Sequence, residues 1–231
     1  MLRIVGLGLR DGDIPVNGIE AVENSQAAFA ETYTNSIEYD LEDLEERTGT
    51  PVKKVDRGEV EDEDVVLEEA GEKDVAFLVS GDPLAATTHQ DMLFRARKRG
   101  IETEVVHAPS IFTAIAETGL SLYRFGRTTT LTVQEGEVPG SVWEAIDGNR
   151  EKGLHTLLLL DIGMSASKAV ELLEGAFEEV LVCSRLGTPD SETVRGEPGE
   201  LEVEGFEDPS SVVVPAGFSP NEKKRLESVN K

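Results

Sequence analysis

The chain has 231 residues, enough to bury a good core as one large domain or two small ones, and no apolar run approaches the length that spans a bilayer. No charged-then-apolar leader opens it, so a soluble cytoplasmic protein with no membrane partner is expected. Forty-six acids against 22 bases leave a net charge of −24, which repels phosphate backbones and disfavours sequence-independent nucleic-acid binding.

In chain order, Leu2–Leu9 reads as a strand running into a glycine-bearing loop. Asp13 is the expected N-cap of a helix with Pro15 in its first turn, and Val16, Ile19 and Val22 at helical spacing carry that helix to Ala30. Glu31–Thr34 follows as a short segment. Tyr39–Thr48 reads as an acidic helix with Leu41 and Leu44 inward, ended by Gly49 and Pro51. Val52–Val55 suits a strand, and Asp62–Lys73 a second acidic helix. Val75–Val79 is a nearly uninterrupted apolar run, the pattern of a strand covered on both faces. Ser80-Gly81-Asp82-Pro83 stops it, and the small residues Ala85 to Thr88 lead through His89 into a helix ending near Arg99. A strand that turns through Gly-Asp-Pro into a helix start is where open α/β sheets place ligands.

Glu102–His107 suggests another strand, and Ser110 is placed to cap a helix over Ile111–Gly119. Alternating β and α elements to this point imply a mostly parallel sheet with helices on both faces. Beyond it, strands at Thr128–Val133, His155–Asp161, Val180–Ser184, Thr193–Val203 and Ser211–Val214, with helices at Val142–Lys152 and Ala166–Glu174, imply a more mixed sheet. The expected organisation is two α/β domains, 1–111 and 112–231, with Lys223–Lys231 a frayed tail.

Candidate chemistry is sparse. Gly6, Gly8 and Gly12 miss the G-x-G-x-x-G dinucleotide spacing by one residue, which favours a tight turn approached by a ligand or by backbone. His89, His107 and His155 sit near strand ends or loops and are able to approach one cleft, but lack metal-type spacing; no metal is expected. Asp82 and Asp161, at strand carboxyl ends, suit either a ligand or a turn cap. The lone Cys183 excludes an internal disulfide and reads as a small buried hydrophobe. Acidic runs at Glu42–Glu46, Glu59–Asp64 and Glu197–Glu207 read as solvated faces of a halophile's protein.

Several blocks, taken together and in order, resemble the diphthine synthase family. They are Leu2–Gly8, Phe29-Ala30-Glu31-Thr32-Tyr33-Thr34, Gly81-Asp82-Pro83-Leu84 with Ala86-Thr87-Thr88-His89, His107-Ala108-Pro109-Ser110-Ile111, and Gly153–Leu158 with Leu160-Asp161-Ile162. The Gly-Asp-Pro turn after a strand is shared more widely, with the tetrapyrrole-methylase superfamily. The resemblance implies a two-domain α/β methyltransferase, usually a homodimer, with S-adenosylmethionine in the interdomain cleft and S-adenosylhomocysteine as product. Its implied acceptor is the 3-amino-3-carboxypropyl-histidine of translation elongation factor two, whose amine archaeal members trimethylate to diphthine; the acidic composition looks haloarchaeal.

By position, the resemblance makes Leu9, Asp82, Ala85, Ser110, Ile111, Leu160, Leu186 and Ser210 cofactor contacts, the last two by weaker alignment. His89 and Tyr33 become candidates for the acceptor side, and His107 a support for the Pro109 turn. Methyl transfer to an amine with a pKa of ~8 needs no strong base, which suits the absence of an evident catalytic dyad. The alternatives are a tetrapyrrole methyltransferase, a non-catalytic protein that keeps the fold and recruits the elongation factor, and a Rossmann oxidoreductase.

Overall fold

The computed structural model describes residues 1–31, 33–34 and 39–229. Thr32, within the block around Tyr33, and the last two residues of the expected tail lie outside them. The chain forms two compact units, Met1–Phe112 and Thr113–Lys231.

In the first unit, strands β1 (Leu2–Gly6), β2 (Ala27–Glu31), β3 (Val52–Val55), β4 (Val75–Val79) and β5 (Thr103–Val106) form one sheet in the order β3-β2-β4-β1-β5. Every pairing in it is parallel. Helices α1 (Val16–Glu23) and α2 (Leu41–Thr48) cover one face through Val22 and Leu44; α3 (Arg57–Glu61), α4 (Val65–Glu72) and α5 (His89–Lys98) cover the other through Val60, Leu67 and Met92. All five residues of β4 are buried. Burying a side chain such as Phe77 or Leu78 contributes roughly 1.5–3 kcal/mol, which fixes the strand from which the Gly-Asp-Pro turn springs.

Two expectations fail here. The helix expected to run to Ala30 stops at Glu23, where the Asn24 amide donates to the Glu20 carbonyl and the Ser25 hydroxyl to that of Ala21. Ala27–Glu31 is instead the strand between β3 and β4. Ala28 and Ala30 pack beneath α1 and α2 while Phe29 fills the opposite face, so two-sided burial overrides alanine's helical preference. The helix expected over Asp62–Lys73 starts only at Val65, because Asp64 takes a φ of 55°, which a helix interior does not allow, and a separate short helix, α3, precedes it.

The short helix α6 (Ile111–Ala114) continues as a 3₁₀ turn, Ile115–Thr118, and ends at Gly119 with φ 83°. In the second unit, β6 (Thr129–Leu131), β7 (Thr156–Leu160), β8 (Val180–Ser184), β9 (Glu192–Gly196) and β10 (Ser210–Val214) form a sheet ordered β6-β7-β10-β8-β9. Only β6 and β7 pair in parallel, so this sheet is mixed. Helices α7 (Gly140–Arg150) and α8 (Ala166–Leu173) pack Ile146 and Leu173 against one face. The strand expected over Thr193–Val203 ends at Gly196; Pro198, which has no N–H to donate, opens a 3₁₀ turn. The expected frayed tail is helix α9 (Pro220–Val229), with Leu226 and Glu222 buried. Among the described residues no helix is long and apolar enough to cross a membrane.

Candidate active site

In the first sheet β1 connects across β4 to β2 through α1 on one face, while β4 connects across β1 to β5 through α5 on the other, so the chain leaves these adjacent strands toward opposite faces. Open parallel sheets bind ligands at such a point, beyond the strands' carboxyl ends. Here the two loops join. The Gly8 amide donates to the Gly81 carbonyl at 3.2 Å and the Gly81 amide to the Gly8 carbonyl at 2.8 Å. A Cβ on Gly6 would stand 2.6 Å from the Gly81 oxygen and 2.7 Å from the Ala108 side chain, so only glycine lets the three loops meet. Gly81, at φ 69°, has open space where a Cβ would project. Tyr39 clamps the pair: its hydroxyl donates to the Gly8 carbonyl at 2.8 Å and lies 2.6 Å from the Ser80 Oγ. Burial pushes its phenol up to about 12, so it remains a donor.

Asp82 ties the loop after β4 to the loop after β5. Its Oδ1 accepts the Leu84 amide at 2.9 Å; its Oδ2 accepts the Ala108 amide at 3.3 Å and lies 2.7 Å from His107 Nδ1. Asp13 does not cap α1, whose N-cap is Pro15. Its carboxylate accepts the Leu9 amide at 3.2 Å and pairs with Arg10, closing the glycine loop instead. Leu9, Asp82, Ala85, Ser110 and Ile111 therefore all follow strands β1, β4 and β5 at one sheet edge.

The second unit gathers its own candidates at one edge. Leu160 ends β7, Ser210 opens the antiparallel β10 opposite Ser184, and Leu186 follows β8 by two residues. The Arg185 amide donates to the Pro209 carbonyl at 2.9 Å, holding these turns together, and the Ser210 hydroxyl donates to the Glu207 carbonyl at 3.2 Å.

Beside the Gly-Asp-Pro turn lies a buried polar cluster. Glu31 ends β2 with no exposed side-chain surface, and burial raises its carboxyl to about 7 against the pull of Thr34, the Ser80 backbone and Arg57. His89 Nε2 stands 3.7 Å from Glu31 Oε2, and its ring meets Phe77 edge-on at 5.2 Å. Burial lowers His89 to about 4, with the Pro83 backbone opposing, so the imidazole is neutral. The Arg57 guanidinium lies over the Tyr33 ring, 5.4 Å from its centre. Burial, then the charges of Glu31 and Glu61, push the Tyr33 phenol up. Among the described residues, Glu31 Oε1, Tyr33 Oη and His89 Nδ1 are buried with no hydrogen-bond partner.

The three histidines do not share a cleft. His155 is fully buried in the second unit, with Nε2 3.2 Å from Glu222 Oε1 and Nδ1 accepting the Ala216 amide at 3.2 Å. Asp161 caps a turn, accepting from the Thr132 hydroxyl and the Ile162 amide. Cys183 is buried and burial pushes its thiol up to about 12. Glu31 and Tyr39 were not singled out as site residues by sequence. For Glu31 the signal was present: one acid closing the otherwise apolar Ala27–Ala30. No cluster of three or more acids, histidines or cysteines suits a metal among the described residues.

A parallel sheet with a glycine-lined switch point, followed by a mixed sheet, is the architecture of the tetrapyrrole (corrin/porphyrin) methylases, whose family model matches residues 1–202. The diphthine synthase of Haloarcula marismortui is 38% identical over 253 aligned residues, covering 99% of this chain and 98% of the relative. That of Halobacterium salinarum strain R1 is 40% identical, covering 94% and 92%. A crystal structure of diphthine synthase superposes with a TM-score of 0.87 at 32% identity, covering 99% and 95%. The chain belongs to the diphthine synthase family. It is an S-adenosylmethionine-dependent methyltransferase of diphthamide biosynthesis, with S-adenosylhomocysteine as the leaving product; the tetrapyrrole alternative is not favoured.

Proposed function

We propose that this enzyme trimethylates the amino group of the 3-amino-3-carboxypropyl-histidine on translation elongation factor two, giving diphthine. The observation that carries the reading is the convergence of the loops after β1, β4 and β5 on one sheet edge, with a buried carboxylate, phenol and imidazole beside it. S-adenosylmethionine supplies an electrophilic methyl on sulfur. Leu9, Asp82, Ala85, Ser110 and Ile111, with Leu160, Leu186 and Ser210 of the second unit, contact it.

Asp82 acts mainly through its loop, since its carboxylate is occupied by two backbone amides and His107. Displacement at a methyl carbon is in-line, so holding the reactants in attack geometry supplies up to roughly 7–11 kcal/mol of the barrier reduction. His89 and Tyr33 line the acceptor side and orient the amine. Full turnover in both His89→Ala and Tyr33→Phe would remove that role.

Mass spectrometry of elongation factor two carrying the aminocarboxypropyl-histidine, incubated with enzyme and S-adenosylmethionine in molar KCl, tests the whole reading. The expected result is a gain of three methyl groups on that histidine. No gain, with a working diphthine synthase in parallel, overturns it. Light scattering of the purified protein tests the homodimer that the family resemblance implies.

A further inference from the structure

We propose that Glu31 receives the acceptor's ammonium group and takes up its proton before each methyl transfer, an inference that rests on the function proposed above. Buried polar atoms in native proteins are almost always paired, because an unpaired one costs about 1–3 kcal/mol. Here three neighbouring side chains each carry one: Glu31 Oε1, Tyr33 Oη, whose phenol feels the Glu31 charge, and Nδ1 of His89, whose Nε2 lies 3.7 Å from Glu31 Oε2. An isolated buried carboxylate oxygen next to a neutral imidazole lacks a cationic donor, and a primary ammonium has the charge and the N–H groups to satisfy it. The placement is also right. Glu31 stands against the backbone of Ser80, two residues before Asp82, so it flanks the turn assigned to the methyl donor. Its neighbour Tyr33 already takes a cation against its ring, that of Arg57, and an aromatic face beside a carboxylate suits an amine that gains methyl groups.

The chemistry closes. One N–H bond of the ammonium breaks, its electron pair stays on nitrogen and the proton passes to Glu31 Oε1. The nitrogen pair forms the new N–C bond as the methyl C–S bond breaks and its pair goes to sulfur. Glu31 returns its proton to solvent before the next round. Three rounds consume three donors, release three protons and end at a quaternary ammonium with no N–H left to lose, where proton removal stops.

The groups facing this carboxylate are Thr34 beside it, Arg57 and Glu61 on α3, His89 on α5, and Tyr33 and Tyr39. Burial, against the pull of Thr34, the Ser80 backbone and Arg57, leaves its carboxyl at about 7, where a proton acceptor turns over readily.

The test compares wild type with Glu31→Gln and Glu31→Asp. Three readouts are taken: single-turnover methylation from pH 6 to 9.5, S-adenosylhomocysteine affinity by calorimetry, and melting temperature. Glu31→Gln should lose on the order of 100-fold in rate at pH 7 and regain part of it as alkali frees the amine. Its product affinity should stay within twofold of wild type and its melting temperature should not fall. Glu31→Asp should recover part of the rate. An unchanged rate and pH profile in Glu31→Gln overturns the inference, as does loss of product affinity in step with rate. Failure of wild type itself to methylate would instead overturn the function on which the inference rests.

Discussion

His107 Nδ1 lies 2.7 Å from Asp82 Oδ2, so an exposed imidazole and a largely buried carboxylate lock the loop after β5 onto the loop after β4. The two residues contribute unequally. Asp82 also accepts the Leu84 and Ala108 amides, and hydrogen bonds to a charged acceptor are worth roughly 1.5–3 kcal/mol each. Asp82→Ala should therefore weaken S-adenosylhomocysteine binding about tenfold or more, by a loss of order that also lowers the denaturation midpoint. His107→Ala gives up only a solvent-facing pair, worth about 1 kcal/mol or less. Calorimetry on both variants checks this ranking, and equal losses would refute it.

Glu222 anchors α9 on the second unit. Its buried carboxylate accepts the Ser121 amide at 3.0 Å and the Ser219 amide at 2.8 Å, pairs with Arg124, and meets His155. Glu222→Ala should cost about 3–5 kcal/mol, because it strands Arg124 and several buried donors. Burial alone would raise this carboxyl, but the Ser121 and Ser219 amides, the Ser219 side chain and His155 hold it well below its ordinary 4.5. A depressed carboxyl stabilises the fold fully above that ordinary value and loses the contribution as pH falls toward the folded one. The gap between wild type and Glu222→Gln in urea denaturation should thus be constant from pH 8 to pH 5 and narrow below about 4.5.

The elements whose pattern is set by burial were legible: β4, whose five apolar residues announce two-sided cover, and α2, whose inward Leu44 and Gly49 stop stand as read although the helix starts at Leu41 and not at Tyr39. What failed depended on partners distant in sequence. Ala27–Glu31 has the composition of a helix and becomes a strand only because β3 and β4 offer edges on both sides. Glu222 is invisible among 46 acids because its distinction is burial, whereas Glu31 was marked only by closing the apolar Ala27–Ala30. The ligand turn was readable as Gly-Asp-Pro, whereas Tyr39, which clamps Gly8 to Ser80, lies just before an unremarkable acidic helix.

Glu31 should also cost stability. Its carboxyl is raised from 4.5 to about 7, so between those values the folded chain binds a proton that the unfolded chain has released. This group's contribution therefore falls as pH rises from about 4.5 through 7. At pH 8 the penalty reaches at most about 3 kcal/mol, taking 1.36 kcal/mol per pKa unit. Glu31→Gln removes it. The variant should match wild type near pH 4.5 and be up to about 3 kcal/mol more stable at pH 8 in urea denaturation. A gap independent of pH would show that the carboxyl is not raised.

Salt should stabilise this protein, although it weakens each of its surface ion pairs. Pairs such as Arg47 with Asp43 and Lys168 with Glu171 are half-exposed and worth about 0–1 kcal/mol apiece, so screening them costs little. Against that stands an excess of 24 negative charges whose mutual repulsion acts over about 30 Å at 0.01 M salt and only about 3 Å at 1 M. The repulsion is the larger effect because every acid feels many others, whereas each pair feels one partner. The melting temperature should rise between millimolar and molar KCl. It should rise less in a Glu46→Gln/Glu63→Gln variant, which removes two exposed acids from α2 and from the turn between α3 and α4. A melting temperature indifferent to KCl would mean the acidic surface contributes solubility alone. An equal rise in the variant would assign the salt effect to apolar hydration instead of charge.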